Sequence, residues 1–204
     1  MMRKWNWKWK ELKNIRIKTD VRIDDLNDRM LLINLYGTQA ILLVIGVIML
    51  LVQGADWRSL FSLAPGWSIV FWGGGIALAV LAADLIVTKY VPEEVMDDGG
   101  VNKRIFGRRP LWHIAVICLL VSICEELLFR AGLQHYMGPY WTSIVFAAIH
   151  IRYLQHWLMT GLVFCISYGI GWIFIHTGSL WTAIFAHFMI DFISGCILRY
   201  GKEE

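Results

Sequence analysis

The strongest constraint on this chain is a set of apolar runs long enough to cross a lipid bilayer. A helix needs about 20 apolar residues to span a hydrocarbon layer of roughly 30 Å. Residues 31–52 carry no formal charge over 22 positions, and residues 66–87 are interrupted only by Asp84. A third run starts at Leu111 and meets Glu125, Glu126 and Arg130 after 14 residues. Residues 139–156 form a weaker run, residues 157–175 carry no formal charge, and residues 180–198 hold one His and one Asp. The reading is an all-α, polytopic transmembrane helical bundle of about six spans, the fourth being either a crossing or a re-entrant segment. Strands are excluded because an open strand in lipid leaves its backbone unpaired and the period-2 pattern of a barrel is missing.

Composition agrees. Of the 204 residues 57% are hydrophobic and 17% charged, whereas a soluble domain carries charge on about a quarter of its residues. Disorder is excluded by the same numbers. A net charge of +3, with basic residues beside acidic ones, argues against nucleic acid as a partner. The eleven Trp and seven Tyr suit ring positions at the two membrane–water boundaries. The segment ahead of residue 31 is too mixed in charge for a signal peptide.

The basic residues give a topology. With the N-terminus inside, the cytoplasmic segments 1–30, 88–110, 152–156 and 199–204 hold seventeen of the nineteen Lys and Arg, and the outer loops hold only Arg58. That asymmetry places both termini in the cytoplasm of, in this reading, a bacterial cell membrane. The chain divides into a basic, Trp-rich N-terminal segment 1–30, two accessory spans with a cytoplasmic loop over 31–110, a helical core over 111–198 and a tail over 199–204. Alternating Trp and Lys over 5–10 suits either an anionic membrane surface or a solvated tail that only fixes topology. Small residues four apart, Gly73 with Ala77, Gly75 with Ala79, and Gly161, Cys165 and Gly169, mark places where helices can approach closely. The four cysteines all fall in spans, form no CxxC pair and read as buried apolar thiols.

Ionisable groups in a bilayer interior cost at least ~2.5 kcal/mol each and point to function by default. Here they are Asp84, Glu125, Glu126, Arg130, His150, His187 and Asp191. Residues four apart on a helix share a face, so Glu126 and Arg130 pair and reduce each other's desolvation cost. Glu125 is turned about 100° from that face and is left free for a polar cavity. A carboxylate without a compensating cation in low dielectric suits a general base. His187 and Asp191 make a second polar stripe, and His150 lies four residues after Phe146. Asp84 is read as snorkelling to the nearby boundary, and the remaining His as interfacial or loop residues. Four readings of this collection stay open. They are a water-activating hydrolytic site, a zinc site held by Glu125, His150 and His187, a proton or ion route, and polar groups that only join helices.

At these residues the chain resembles the CAAX-protease and bacteriocin-processing family of intramembrane endopeptidases. Glu125-Glu126-x-x-x-Arg130 matches the EExxxR motif, Phe146-x-x-x-His150 the FxxxH motif, and His187-x-x-x-Asp191 an HxxxN-type motif. Residues 169–181, Gly-Ile-Gly-Trp-Ile-Phe-Ile-His-Thr-Gly-Ser-Leu-Trp, resemble the family's approach to the third motif. The resemblance implies hydrolysis of a peptide bond in a membrane-associated substrate, prenylated or related to bacteriocins or surface proteins. It implies Glu125 as the base, His150, His187 and Asp191 completing the site, and Glu126, Arg130 and Phe146 in support. It implies no metal cofactor, with zinc as the alternative. Asp191 departs from the pattern, because Asn offers an N–H to an oxyanion and an ionised Asp repels it. A non-proteolytic membrane interaction or immunity protein of the same fold is the second reading.

Overall fold

The computed structural model describes residues 27–63, 65–92, 99–154 and 156–201. The Trp-Lys segment at 5–10, part of the loop 88–110 and residues 202–204 lie outside the described residues. Among those described there is no strand. The all-α reading holds.

Helix α1, Asp28–Val52, opens where Asn27 accepts a hydrogen bond from the Met30 N–H at 2.8 Å, with Asp28 in its first turn. Both features suit the positive end of a helix. Short α2, Trp57–Leu60, follows with Asp56 as its cap. Helix α3 runs from Gly66 to Tyr90 and widens into a π turn at Ile69–Gly73. Short α4, Val101–Phe106, leads to α5, Leu111–Glu126. The helical path continues through a second π turn, Leu127–Leu133, into α6, Gln134–Ile149. After a single 3₁₀ turn at Ile151–Tyr153 come α7, Trp157–Thr177, and α8, Leu180–Tyr200. Gly178, at φ +62°, ends α7 in the left-handed conformation glycine adopts freely.

Among the described residues, four helices are by themselves long and apolar enough to cross a membrane: α1, α3, α7 and α8. The third expected crossing is a long helical run through α5 and the second π turn, diluted by the ionisable groups it carries. The fourth is not one continuous helix. At Gly138, φ +71° and ψ 173°, the chain leaves helical geometry and Pro139 starts it again. Pro at the first turn of a helix loses no hydrogen bond, because its missing N–H would have had no partner there. The piece from 139 to 149 rises only about 16 Å, roughly half a hydrocarbon layer.

Helix α8 sits at the centre and packs on α5, α3 and α7. Ala77 of α3, Ile170 and Ile173 of α7, and Ala183, Ala186 and Ile190 of α8 form one buried cluster. Leu50 of α1, Leu127 and Ala131 of the π turn, and Leu180 and Ile184 of α8 form another. Of the small residues, Gly73 meets its expectation: a Cβ there would stand 3.0 Å from the Thr182 carbonyl oxygen. Gly75 and Gly161 face open space, so they do not mark close contacts. Gly46 was not singled out, yet a Cβ there would stand 3.2 Å from the Leu128 backbone. The outward faces are apolar, as on α1, where Ile41, Val44, Ile48 and Leu51 are exposed. Such a face suits lipid, and the chain is an integral membrane protein.

The backbone at Gly138 gives a direct check. Its φ/ψ region is open essentially only to glycine, so Gly138→Ala is expected to cost about 1–3 kcal/mol. Thermal unfolding in detergent measures this against Gly161→Ala, where ordinary helical backbone and open space leave the melting temperature unchanged or slightly raised.

Candidate active site

The site is assembled from the end of α5, the π turn after it, the end of α6, and the faces of α1, α7 and α8 turned toward them. A π turn inserts an extra residue per turn and redirects the side chains that follow, a device common at functional sites.

Glu126 and Arg130 pair as the spacing predicts. Arg130 Nε donates to Glu126 Oε2 at 2.8 Å, and both side chains are fully buried. The network reaches further than the sequence indicated. Arg130 Nη2 donates to Ser167 Oγ of α7 at 2.9 Å, and His187 Nδ1 of α8 stands 2.7 Å from Glu126 Oε1. Against a carboxylate that ring nitrogen carries the proton and donates. One carboxylate therefore ties α5, the π turn and α8, and through Arg130 also α7. Gln134 continues the seam by donating to the Gly171 carbonyl at 2.9 Å. A Cβ at Gly171 would stand 2.7 Å from Gln134 Oε1, so any larger residue there would displace that amide.

With Nδ1 committed to Glu126, His187 presents Nε2 to the pocket. Glu125 Oε2 lies 3.9 Å from it and Asp191 Oδ2 lies 3.4 Å from it. Glu125 is buried, and the expectation that it is free of partners is corrected: Gln39 Nε2 of α1 donates to its Oε1 at 3.1 Å. Asp191 is partly exposed, with a side-chain exposure of 34%, and forms the wetter rim of the group.

His150 ends α6. Its Nδ1 is 2.7 Å from the Phe146 carbonyl oxygen. That acceptor places the proton on Nδ1 in the neutral ring and leaves Nε2 with its lone pair. The ring packs on Phe146, centroids 4.6 Å apart, and is nearly parallel to Tyr153 at 5.8 Å. Tyr153 is held in turn by Asn102 of α4, which donates to its hydroxyl at 3.2 Å. Glu125 lies within electrostatic reach of His150 as well as of His187 and Asp191. Phe146 is central: its ring meets Phe129 at 4.8 Å and His187 at 6.3 Å, and lies under the Arg130 guanidinium at 5.6 Å.

All seven site residues expected from the sequence thus fall in one region. Gln39, Ser167 and Gln134 were missed. Gln39 had a signal, being a polar side chain within the uncharged run 31–52. The histidines left out lie elsewhere: His113 bonds the Tyr36 hydroxyl at 3.0 Å, and His176 packs on Trp72 and Trp172. The cysteines are all free; Cys118 and Cys124 are buried as expected, whereas Cys165 is exposed. Among the described residues, no three His, Cys, Asp or Glu side chains are grouped as a metal ion would need.

A family profile described as type II CAAX prenyl endopeptidase Rce1-like matches residues 107–193. The chain is 42% identical over 132 residues to an uncharacterized protein, YpbD, of Bacillus subtilis (strain 168). That match covers 65% of this chain and 70% of the relative. No solved structure matches.

Removing Arg130 leaves the Glu126 carboxylate buried with its cation gone. Arg130→Met is expected to destabilise the fold by about 3–5 kcal/mol, read as loss of folded protein in detergent. Ser167→Ala, which removes one partner of the guanidinium and leaves the ion pair intact, is expected to cost about 1–2 kcal/mol in the same measurement.

Proposed function

Because the chain belongs to the CAAX-protease and bacteriocin-processing family, we propose that it is an intramembrane endopeptidase in which Glu125 activates the attacking water. The observation that carries this reading is the placement of Glu125 Oε2 3.9 Å from an imidazole nitrogen whose partner nitrogen is already bonded to Glu126.

In the proposed reaction a water molecule sits between Glu125 and the two imidazoles. Glu125 Oε2 takes one of its protons as the oxygen attacks the scissile carbonyl. The carbonyl π bond opens onto its oxygen, giving a tetrahedral oxyanion. We assign stabilisation of that charge to a proton on His187 Nε2, the ring nitrogen not bonded to Glu126, a contribution separate from base catalysis. The proton held by Glu125 then passes to the leaving nitrogen, the C–N bond breaks, and the two peptide ends separate. Glu126 fixes the ring plane of His187, and the Phe146 carbonyl fixes that of His150. Asp191, which accepts and does not donate, is assigned to orient His187. No metal takes part in this scheme. The substrate is a peptide in or at the bilayer, of the prenylated class that the family description names. We place both termini in the cytoplasm on the distribution of Lys and Arg.

Asp191 also favours a second reading. A carboxylate where the motif's Asn would donate suits a family member that binds a membrane partner without cleaving it.

Cleavage of a fluorogenic, lipidated CAAX-type peptide by the purified chain in vesicles tests the proposal. Glu125→Gln keeps size and hydrogen bonding, and is expected to lower kcat by about 100- to 10,000-fold with insertion and folding intact. Wild-type turnover in that variant would remove the base assignment. Absence of cleavage by the wild-type chain, together with a partner-binding phenotype that survives Glu125→Gln, would favour the second reading. Treatment with a strong chelator is expected to leave turnover unchanged, and a loss restored by added zinc would replace the metal-free scheme.

A further inference from the structure

The base in the proposed reaction has a hydrogen-bond partner from outside the region that the family profile matches. Helix α1 is mostly lipid-facing, and its buried residues are Leu31, Gln39, Gly46 and Leu50. Gln39 and Gly46 are seven apart, two turns along one face. Gly46 lies against the Leu128 backbone, two residues past Glu126, and Leu50 is fully buried against the π turn. The contact at Gly46 admits no Cβ without a shift, so the distance of α1 from the end of α5 is fixed. That spacing delivers the Gln39 side chain, itself only 6% exposed, to Glu125.

The amide can face Glu125 in one sense only. Nε2 toward Oε1 gives a donor to an acceptor at 3.1 Å, whereas the flipped amide would set oxygen against a carboxylate oxygen. Gln39 Oε1 is buried without a hydrogen-bond partner among the described residues. A buried amide in a lipid-exposed helix is costly, and here its one hydrogen bond goes to the carboxylate that faces His187.

We propose that Gln39 is a positioning residue for Glu125, holding Oε1 by its amide N–H so that Oε2 is the oxygen turned to His187 and the water. This rests on the reading of Glu125 as the base. Gln39 exchanges no proton and touches no reacting atom. Its effect is on the orientation of the carboxylate, and therefore on the rate of the chemical step more than on substrate binding.

Gln39→Met keeps the length of the side chain, removes the donor and makes α1 more apolar, so membrane insertion is preserved. Kinetics on the lipidated peptide in vesicles are expected to show kcat lowered about 10- to 100-fold, the scale of a lost hydrogen bond to a charged group, with KM within about twofold of wild type. Undiminished kcat, or a rise in KM alone, overturns the assignment. If Gln39→Met fails to accumulate, Gln39→Glu decides, because it matches the size and sets an acceptor against Oε1. Folded Gln39→Glu protein with kcat lost supports the role, and folded protein with full kcat removes it. Glu125→Gln in the same assay keeps the two ideas apart. Full turnover there defeats the base reading, whereas a dead Glu125→Gln beside a normal Gln39→Met defeats only the positioning role.

Discussion

The Glu126 carboxylate is the point on which the rest of the bundle depends. A charge at that depth is tolerable only if its oxygens are occupied, and both are: Arg130 takes Oε2 and the His187 ring takes Oε1. A guanidinium so buried has its own demand for acceptors, met in part by Ser167 on the next helix. Each group is costly alone and acceptable together, so removal of one strands the others. Apolar contacts among these helices tolerate sliding by a turn, because one Ile or Leu face packs much like the next. The network does not. It fixes the rotation of α5, α7 and α8 about their own axes, and thereby decides which side chains meet in the pocket.

That rotation separates two adjacent carboxylates. Glu126 points into the seam and is consumed by structure. Glu125, about 100° around the helix, points to where α6 stops short and α1 passes close. Helix α6 does not continue past Ile149. Its C-cap is His150, whose ring turns back onto the Phe146 carbonyl and packs between Phe146 and Tyr153. Local contacts, the Phe146 carbonyl and the rings of Phe146 and Tyr153, thus hold one imidazole. A carboxylate network sets the direction of the other.

Much of this was legible in the sequence because lipid makes the rules strict. Long uncharged runs must be helices, and ionisable residues within them stand out by their cost. The spacing of four correctly paired Glu126 with Arg130 and put His187 near Asp191. What the sequence concealed was of three kinds. The π turn after Glu126 leaves no mark in hydropathy, since Leu127 to Leu133 read as ordinary helix. The weak run 139–156 had the composition of a crossing helix, and only the backbone shows that the helix stops within it, at Ile149 ahead of a 3₁₀ turn. Neutral polar residues were overlooked: Gln39, Ser167 and Gln134 carry no formal charge and fade in an average over apolar neighbours. Yet a buried amide is subject to the same argument as a buried carboxylate, at smaller magnitude. Glutamine 39 is the case where that argument, applied to every polar group and not only to charges, would have joined α1 to the site.

Asp191 remains the residue whose chemistry least resembles its motif, and its surroundings give the difference a meaning. His187 has a carboxylate at each ring nitrogen: Glu126 at Nδ1, and Asp191 with Glu125 around Nε2. With Nδ1 donating to Glu126, the ring is held so that Nε2 faces Glu125 and Asp191. Residue 191 therefore offers an acceptor to Nε2, where the motif's Asn would carry an N–H as well. The separation is 3.9 Å on the Glu125 side against 2.7 Å on the Glu126 side, so Glu126 is the carboxylate that fixes the ring, and Glu125 is left to its bond with Gln39.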